Sequence, residues 1–93
     1  MDISKLSYEK KIQLAQNANT PVAVLAALAK DEDPYVRREV AWNPNTPVEA
    51  LAEVLSVELR GNRRNDTLRY IFKHKNATDA IRAIIKIVFP GVQ

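Results

Sequence analysis

A six-residue motif occurs twice in this chain, and it restricts the possible folds more than any other feature of the sequence. Residues 17–22 (NANTPV) return 26 residues later as residues 43–48 (NPNTPV), with five of six positions identical. The match extends on both sides, where Lys11 aligns with Arg37 and Leu25 with Leu51. Tandem units of about 20 to 50 residues are typical of repeat folds, in which neighbouring units cover each other's apolar faces.

A third, degenerate copy follows the second at an offset of 32 residues. At this offset Leu68 follows Val36, and Thr78 follows Thr46. Six residues are then in excess of the 26-residue period, and residues 60–65 (RGNRRN) have the composition of a flexible loop. The alignment therefore predicts a loop insertion around residues 58–65, and it equates His74 with Trp42.

Caps and prolines mark where the helices begin. Thr20 and Thr46 are predicted to be N-caps, each followed by a proline at the first helical position, and Thr46 with Glu49 has the spacing of a capping box. Asp33 is predicted to cap the helix that begins at Pro34. This capping role also explains the acidic run at residues 31–33, which has neither the glycine nor the ligand spacing of a calcium loop.

Apolar residues at helical spacing then predict six short helices, near residues 7–16, 21–30, 34–42, 47–59, 66–75 and 79–88. Helices of this length are marginal alone and gain stability by stacking. We therefore expect an all-α fold of stacked helical repeats. A single helical-repeat domain would span 1–93, with repeats at about 8–33, 34–59 and, degenerate, 66–89.

The motif Asn-x-Asn-Thr-Pro, the amphipathic stretch with leucine at fixed spacing, and Asp-Glu-Asp-Pro-x-Val-Arg-Arg resemble the leucine-rich repeat variant family. The resemblance covers residues 12–57 and, more weakly, 66–88. It implies a short right-handed α-solenoid, similar in style to HEAT and armadillo arrays. The family's founder pairs its repeats with a cysteine-ligated iron–sulfur module. This chain has no cysteine, so that activity does not transfer.

Composition excludes most catalytic and cofactor chemistry. The absence of cysteine removes thiolate metal sites, and His74 is the single histidine. Only two glycines occur, which is too few for a phosphate-cradling loop. We therefore expect no enzyme activity, no catalytic residue, no metal site and no cofactor. The leading functional prediction is a scaffold that mediates protein–protein interaction, with a partner that the sequence does not name.

Candidate partner-binding residues come from charge and from the lone tryptophan. Residues 51–93 carry a net charge of +4, against −1 for residues 1–50. The basic patch of residues 60–75 supports an alternative function in nucleic-acid binding. Trp42 would be either an exposed binding anchor or a large residue filling a gap between units. The candidate binding residues are Trp42, Arg60, Arg63, Arg64, Arg69 and Lys73.

The last predicted helix carries the most apolar stripe of the chain: Ile81, Ile84, Ile85 and Val88, with Ile87 on another face. This stripe either folds inward to cap the repeat core or pairs with a second copy in a homodimer. No stretch approaches the ~20 apolar residues of a membrane-spanning helix. The charged N-terminal region also lacks the apolar run of a signal peptide. The sequence therefore predicts a cytoplasmic protein without a membrane segment.

Overall fold

The structure, a computed structural model, describes residues 2–61 and 64–93. Over these residues it is all-helical, with no strand, which confirms the predicted fold class. The predicted helices are confirmed to within two residues at each end. A 3₁₀ helix, Ile3–Lys5, precedes α1 (Tyr8–Gln16), α2 (Val22–Leu28), α3 (Pro34–Trp42), α4 (Val48–Arg60), α5 (Asn65–Lys73) and α6 (Asp79–Val88). No helix in the described part of the chain is both long and apolar enough to cross a bilayer.

Alternate helices form a row. α1 contacts α3, and α3 contacts α5, while α2 contacts α1, α3 and α4, and α6 contacts α5. One continuous core lies between these helices; its fully buried large members are Leu28, Val36, Val40, Leu51, Val54, Leu68, Ile71 and Ile85. Each helix is too short to be stable alone, so its stability depends on this shared core.

Polar side chains cap three of the helices. The Asp33 carboxylate accepts from the Tyr35 amide at 2.8 Å, and Pro34 is the first residue of α3, as predicted. The Ser7 hydroxyl accepts from Lys10 N at 3.2 Å at the start of α1. Thr78 caps α6 in the same way, through Ile81 N at 3.2 Å. These bonds satisfy backbone donors that have no partner within the helix.

The predicted capping role of Thr20 and Thr46 is wrong. Pro21 and Pro47 themselves occupy the N-cap positions of α2 and α4, and neither helix start has a side-chain cap. The two threonine hydroxyls instead donate at 2.6 Å to carbonyl oxygens six residues earlier, in the last turns of α1 and α3. Thr46 and Glu49, both among the described residues, form no capping box. The threonines therefore stabilise the end of one helix rather than the start of the next.

The third repeat unit follows the second at 31 residues and not at the predicted 32. The N-cap residues Asp33 and Arg64 are 31 residues apart, and so are the C-cap residues Asn43 and His74. His74 therefore corresponds to Asn43, and the predicted equivalence of His74 with Trp42 is wrong. A helix boundary fixes this register better than a single matched threonine does.

The additional residues of the third interval lengthen α4 instead of forming the predicted loop. α4 has 13 residues, whereas α2 has 7. Arg60 is the last residue of α4, and Asn65 is already the first of α5. The reason is that Leu51, Val54, Leu55 and Glu58 continue one buried helical stripe beyond the length of α2.

Asparagine and histidine side chains tie each unit to the one before it. Asn43 Nδ2 donates to Ala15 O at 2.8 Å and to Asn17 O at 2.9 Å. One unit later, His74 Nε2 lies 2.8 Å from Asn43 O, and Asn76 Nδ2 donates to Thr46 O at 3.0 Å. Corresponding residues therefore make corresponding bonds across both junctions, and these bonds set the spacing of α1, α3 and α5.

A buried ion pair joins α3 to the lengthened part of α4. Arg37 Nη2 lies 2.7 Å from Glu58 Oε2, and the Glu58 residue is only 1% exposed. Arg37 Nη1 also donates to the carbonyls of Asp31 and Glu32, and Glu58 Oε1 accepts from Arg64 N at 3.2 Å. One carboxylate thus connects α3, α4 and the start of α5.

The apolar stripe of α6 divides between the core and solvent. Ile81 and Ile85 are buried, whereas Ile84 is exposed and Ile87 is 78% exposed. After α6 the chain turns, and Val92 packs into the same core. Most of the stripe therefore faces inward, as one of the two sequence-based alternatives required.

Candidate functional site

The most exposed aromatic ring of the protein borders a groove between α3 and α5. Trp42 is the last residue of α3 and is 63% exposed. Its ring centroid lies 5.5 Å from that of Tyr70 on α5, with the two planes inclined by 43°. Ala41 and Pro44 extend this apolar wall, and the groove encloses about 400 Å³. Trp42 is therefore a surface residue, as the binding-anchor interpretation requires, rather than a filler between units.

Cations form the other side of the same groove. Arg69, Lys73 and Lys75 line it together with His74. The Arg69 guanidinium lies 5.5 Å from the centre of the Phe89 ring, which limits the directions in which it can extend. Lys73 and Lys75 are exposed. Lys73 in the last turn of α5 also complements the negative end of the helix dipole. The described lining includes no carboxylate, so the groove combines an apolar wall with positive charge.

His74 holds the base of the groove through both ring nitrogens. Asn76 N donates to His74 Nδ1 at 3.0 Å, so Nδ1 is the unprotonated nitrogen of a neutral ring. Nε2 then carries the proton and donates to Asn43 O at 2.8 Å. The side chain is buried, and both nitrogens are occupied. His74 therefore positions α5 against α3 and is not available as a catalytic base.

The candidate residues do not form a single patch. Trp42, Arg69 and Lys73 meet at the groove. Arg64 caps the opposite end of α5 from Lys73, about 14 Å away along the helix axis at 1.5 Å per residue. Arg60 ends α4 and is exposed, and Arg63 lies outside the described residues. The basic patch predicted for residues 60–75 is thus divided between the two ends of α5.

A second aromatic and basic cluster, which the sequence analysis missed, lies at the start of α5. The guanidinium groups of Arg38 and Arg64 each lie 5.1 Å from the centre of the Tyr35 ring. Arg38 also pairs with Glu39 at 3.3 Å and with Asp66 at 3.5 Å. Partial burial lowers the pKa of Arg38, but its hydrogen bond to Glu39 and the attraction of Glu39 and Asp66 hold the pKa above its usual value. Arg38 is therefore charged but neutralised by its neighbours.

The positions of Tyr35, Arg38 and Trp42 could have revealed this surface. They are spaced i, i+3 and i+7, which places them on one face of α3. That face meets Asp66 and Tyr70 on α5. The missing information was the 31-residue register, because the pairing across the two helices depends on it.

Other regions offer less chemistry. A larger cleft of about 650 Å³ lies at the N-terminal end, and its Lys11 Nζ is paired with Asp31 at 2.6 Å. Among the described residues, no three histidine, aspartate or glutamate side chains gather as they would around a metal ion. The groove beside Trp42 is therefore the candidate site.

Comparison with known proteins places the chain in no family. No protein-family model, no curated protein and no solved structure matches it significantly. The function is accordingly argued from the geometry of the groove alone.

Proposed function

We propose that this protein is a non-enzymatic helical-repeat scaffold that binds a protein partner. Support for the repeat interpretation comes from the row of α1, α3 and α5 and from the corresponding side-chain bonds at its two junctions. The resemblance to leucine-rich repeat variants places these units in a short right-handed α-solenoid. In such folds the stacked helices present a surface on which partners dock.

One observation carries the binding proposal, namely the exposure of Trp42 beside Tyr70. A large ring in water is costly unless it serves a contact, and aromatic residues dominate the energetics of protein interfaces. The ring lies at an apolar groove with a cationic rim, so a partner can bury it while pairing with the charges. The neighbouring core does not require this exposed ring, because Val36, Val40 and Ala41 already fill the buried face of α3.

Affinity capture from cells that produce the protein tests the proposal. Wild-type, Trp42→Ala and Tyr8→Ala baits are compared at moderate salt after nuclease treatment. Tyr8 is the matched control, because it is also an exposed aromatic residue but lies on α1, away from the groove. We expect a protein that wild type and Tyr8→Ala retain and Trp42→Ala loses. Equal retention by all three baits would contradict the proposal.

Nucleic-acid binding is the second candidate, and the structure supplies one observation in its favour. Aromatic rings and cations alternate along the α3–α5 surface, with Tyr35 beside Arg64 and Trp42 beside Arg69 and Lys73. Proteins that bind single strands combine these two elements. Such binding would weaken linearly with the logarithm of salt concentration, because it releases counterions. Against it, Glu39 and Asp66 neutralise Arg38 between the two clusters.

Self-association through α6 is less well supported than partner binding at the groove. With Ile81 and Ile85 in the core, the outward apolar surface of α6 is reduced to Ile84 and Ile87. A stable interface involves about 20 to 30 residues on each side. We therefore expect the protein to remain monomeric at micromolar concentration.

A further inference from the structure

The groove beside Trp42 has a composition that favours one class of partner, and the inference drawn from it rests on the proposed function. Its wall is aromatic and its rim is cationic, with no carboxylate among the described lining residues. Electrostatic complementarity requires negative charge on whatever binds there. The shape of the wall and the surrounding charges then decide between a peptide and a nucleic acid.

The two rings form a single apolar wall rather than two platforms. At 5.5 Å and 43°, Trp42 and Tyr70 pack against each other. Base-stacking surfaces instead present separate ring faces to successive bases. A continuous wall of this kind, with Ala41 and Pro44 beside it, fits the side of one bulky apolar residue.

The positive charge at the groove is local. Lys73 and Lys75 are exposed at the end of α5, and neutral His74 between them adds no charge. Along the helix toward Arg64, the next cation on the facing surface is Arg38, which is paired with Glu39 and Asp66. A long polyanion would therefore meet two carboxylates as soon as it left the groove, whereas a short acidic segment would not.

We infer that the groove binds an acidic peptide segment that carries one large apolar side chain. The apolar side chain packs on the wall formed by Trp42 and Tyr70. Carboxylates on either side of it pair with Lys73, Lys75 and Arg69. The partner protein of the proposed function thus contributes a short acidic and apolar motif.

Fluorescence of Trp42 provides a direct assay, because it is the only tryptophan in the chain. The probe is a short synthetic peptide of aspartate and glutamate around one central phenylalanine, labelled for anisotropy in a parallel measurement. One control peptide replaces the phenylalanine by glycine, and another replaces the acids by asparagine and glutamine. A labelled oligothymidylate serves as the nucleic-acid probe.

We expect the acidic phenylalanine peptide to bind with a blue shift of Trp42 emission, and each control peptide to bind at least about tenfold more weakly. Lys73→Glu should weaken binding of the labelled peptide by a similar factor. Lys10→Glu, an exposed site on α1, should change it less than twofold. Circular dichroism checks that both variants keep their helicity.

Several results would overturn the inference. They are equal binding of the acidic and neutral peptides, equal binding by the Lys73→Glu and Lys10→Glu variants, or binding of the oligonucleotide alone. If no peptide binds while Trp42 is still required to capture a protein from cells, the proposed function stands and only the acidic-motif inference fails. If Trp42 is required for neither, both fail.

Discussion

The buried Arg37–Glu58 pair allows a quantitative test of how α3 and the lengthened α4 are joined. Replacing Glu58 by leucine removes the carboxylate that Arg37 contacts at 2.7 Å and 3.2 Å. The Arg37 side chain is only 8% exposed, so the remaining guanidinium charge is left with two backbone carbonyls and little water. The Arg64 amide also loses its acceptor.

Removing one partner of a buried pair costs about 3 to 5 kcal/mol, because the other charge stays uncompensated. Arg37 keeps two of its hydrogen bonds, so we expect the lower end, about 3 kcal/mol. With a urea dependence of about 1.5 kcal/mol/M, typical of a small domain, the unfolding midpoint falls by about 2 M. This is a large part of the roughly 5 to 15 kcal/mol that holds a domain folded.

Urea unfolding followed by circular dichroism measures the effect, with Glu49→Leu as the control. Glu49 is exposed on the same helix, and its replacement is the same chemical change. The double variant Arg37→Leu/Glu58→Leu removes both charges and should recover most of the loss, since paired buried charges are often replaceable by apolar residues. Leu68 already occupies the position that corresponds to Arg37 in the third unit. A Glu58→Leu midpoint equal to that of Glu49→Leu, or a double variant no more stable than Glu58→Leu, would refute the reasoning.

Three further outcomes are expected. Leu51→Ala, in the core, should cost about 2 to 5 kcal/mol in urea unfolding, and a cost equal to that of the exposed change Ala52→Gly would mean that the register of α4 is wrong. Thr46→Ala should cost about 1 to 2 kcal/mol through loss of the buried bond to Val40 O, while Thr46→Ser should restore most of it; equal losses would argue against the hydroxyl bond. Sedimentation equilibrium at micromolar concentration should give the monomer mass for wild type and for Ile87→Glu alike, and a wild-type dimer that Ile87→Glu dissociates would contradict the inward packing of α6.

Helix positions were predictable because their signals are local. The cap at Asp33, the proline after it and the apolar spacing each depend on a few adjacent residues, and they gave boundaries within two residues of the structure. The role of Thr20 and Thr46 was not predictable in the same way. Their hydroxyls choose between the helix that follows and the helix that ends six residues earlier, and the choice depends on how the turn folds back.

The candidate site was only partly predictable, because it depends on register. Trp42 and Lys73 were identified from residue type alone, and the structure brings them to one groove. Pairing Trp42 with Tyr70 required the 31-residue offset, which a degenerate third copy obscured. The Arg37–Glu58 pair was missed for a related reason, since Glu58 lies in the segment that was predicted to be a loop.

The bonds of Asn43 and His74 across the repeat junctions underlie both the fold and the groove, because they place Trp42 beside Tyr70. Heteronuclear NMR tests them directly. We predict nuclear Overhauser effects from the Asn43 side-chain amide to residues 15–17, and ¹⁵N shifts of His74 that show a proton on Nε2 and none on Nδ1. A His74 ring protonated on Nδ1, or an Asn43 amide without contacts to α1 in a fully helical protein, would contradict the repeat register and the groove built on it.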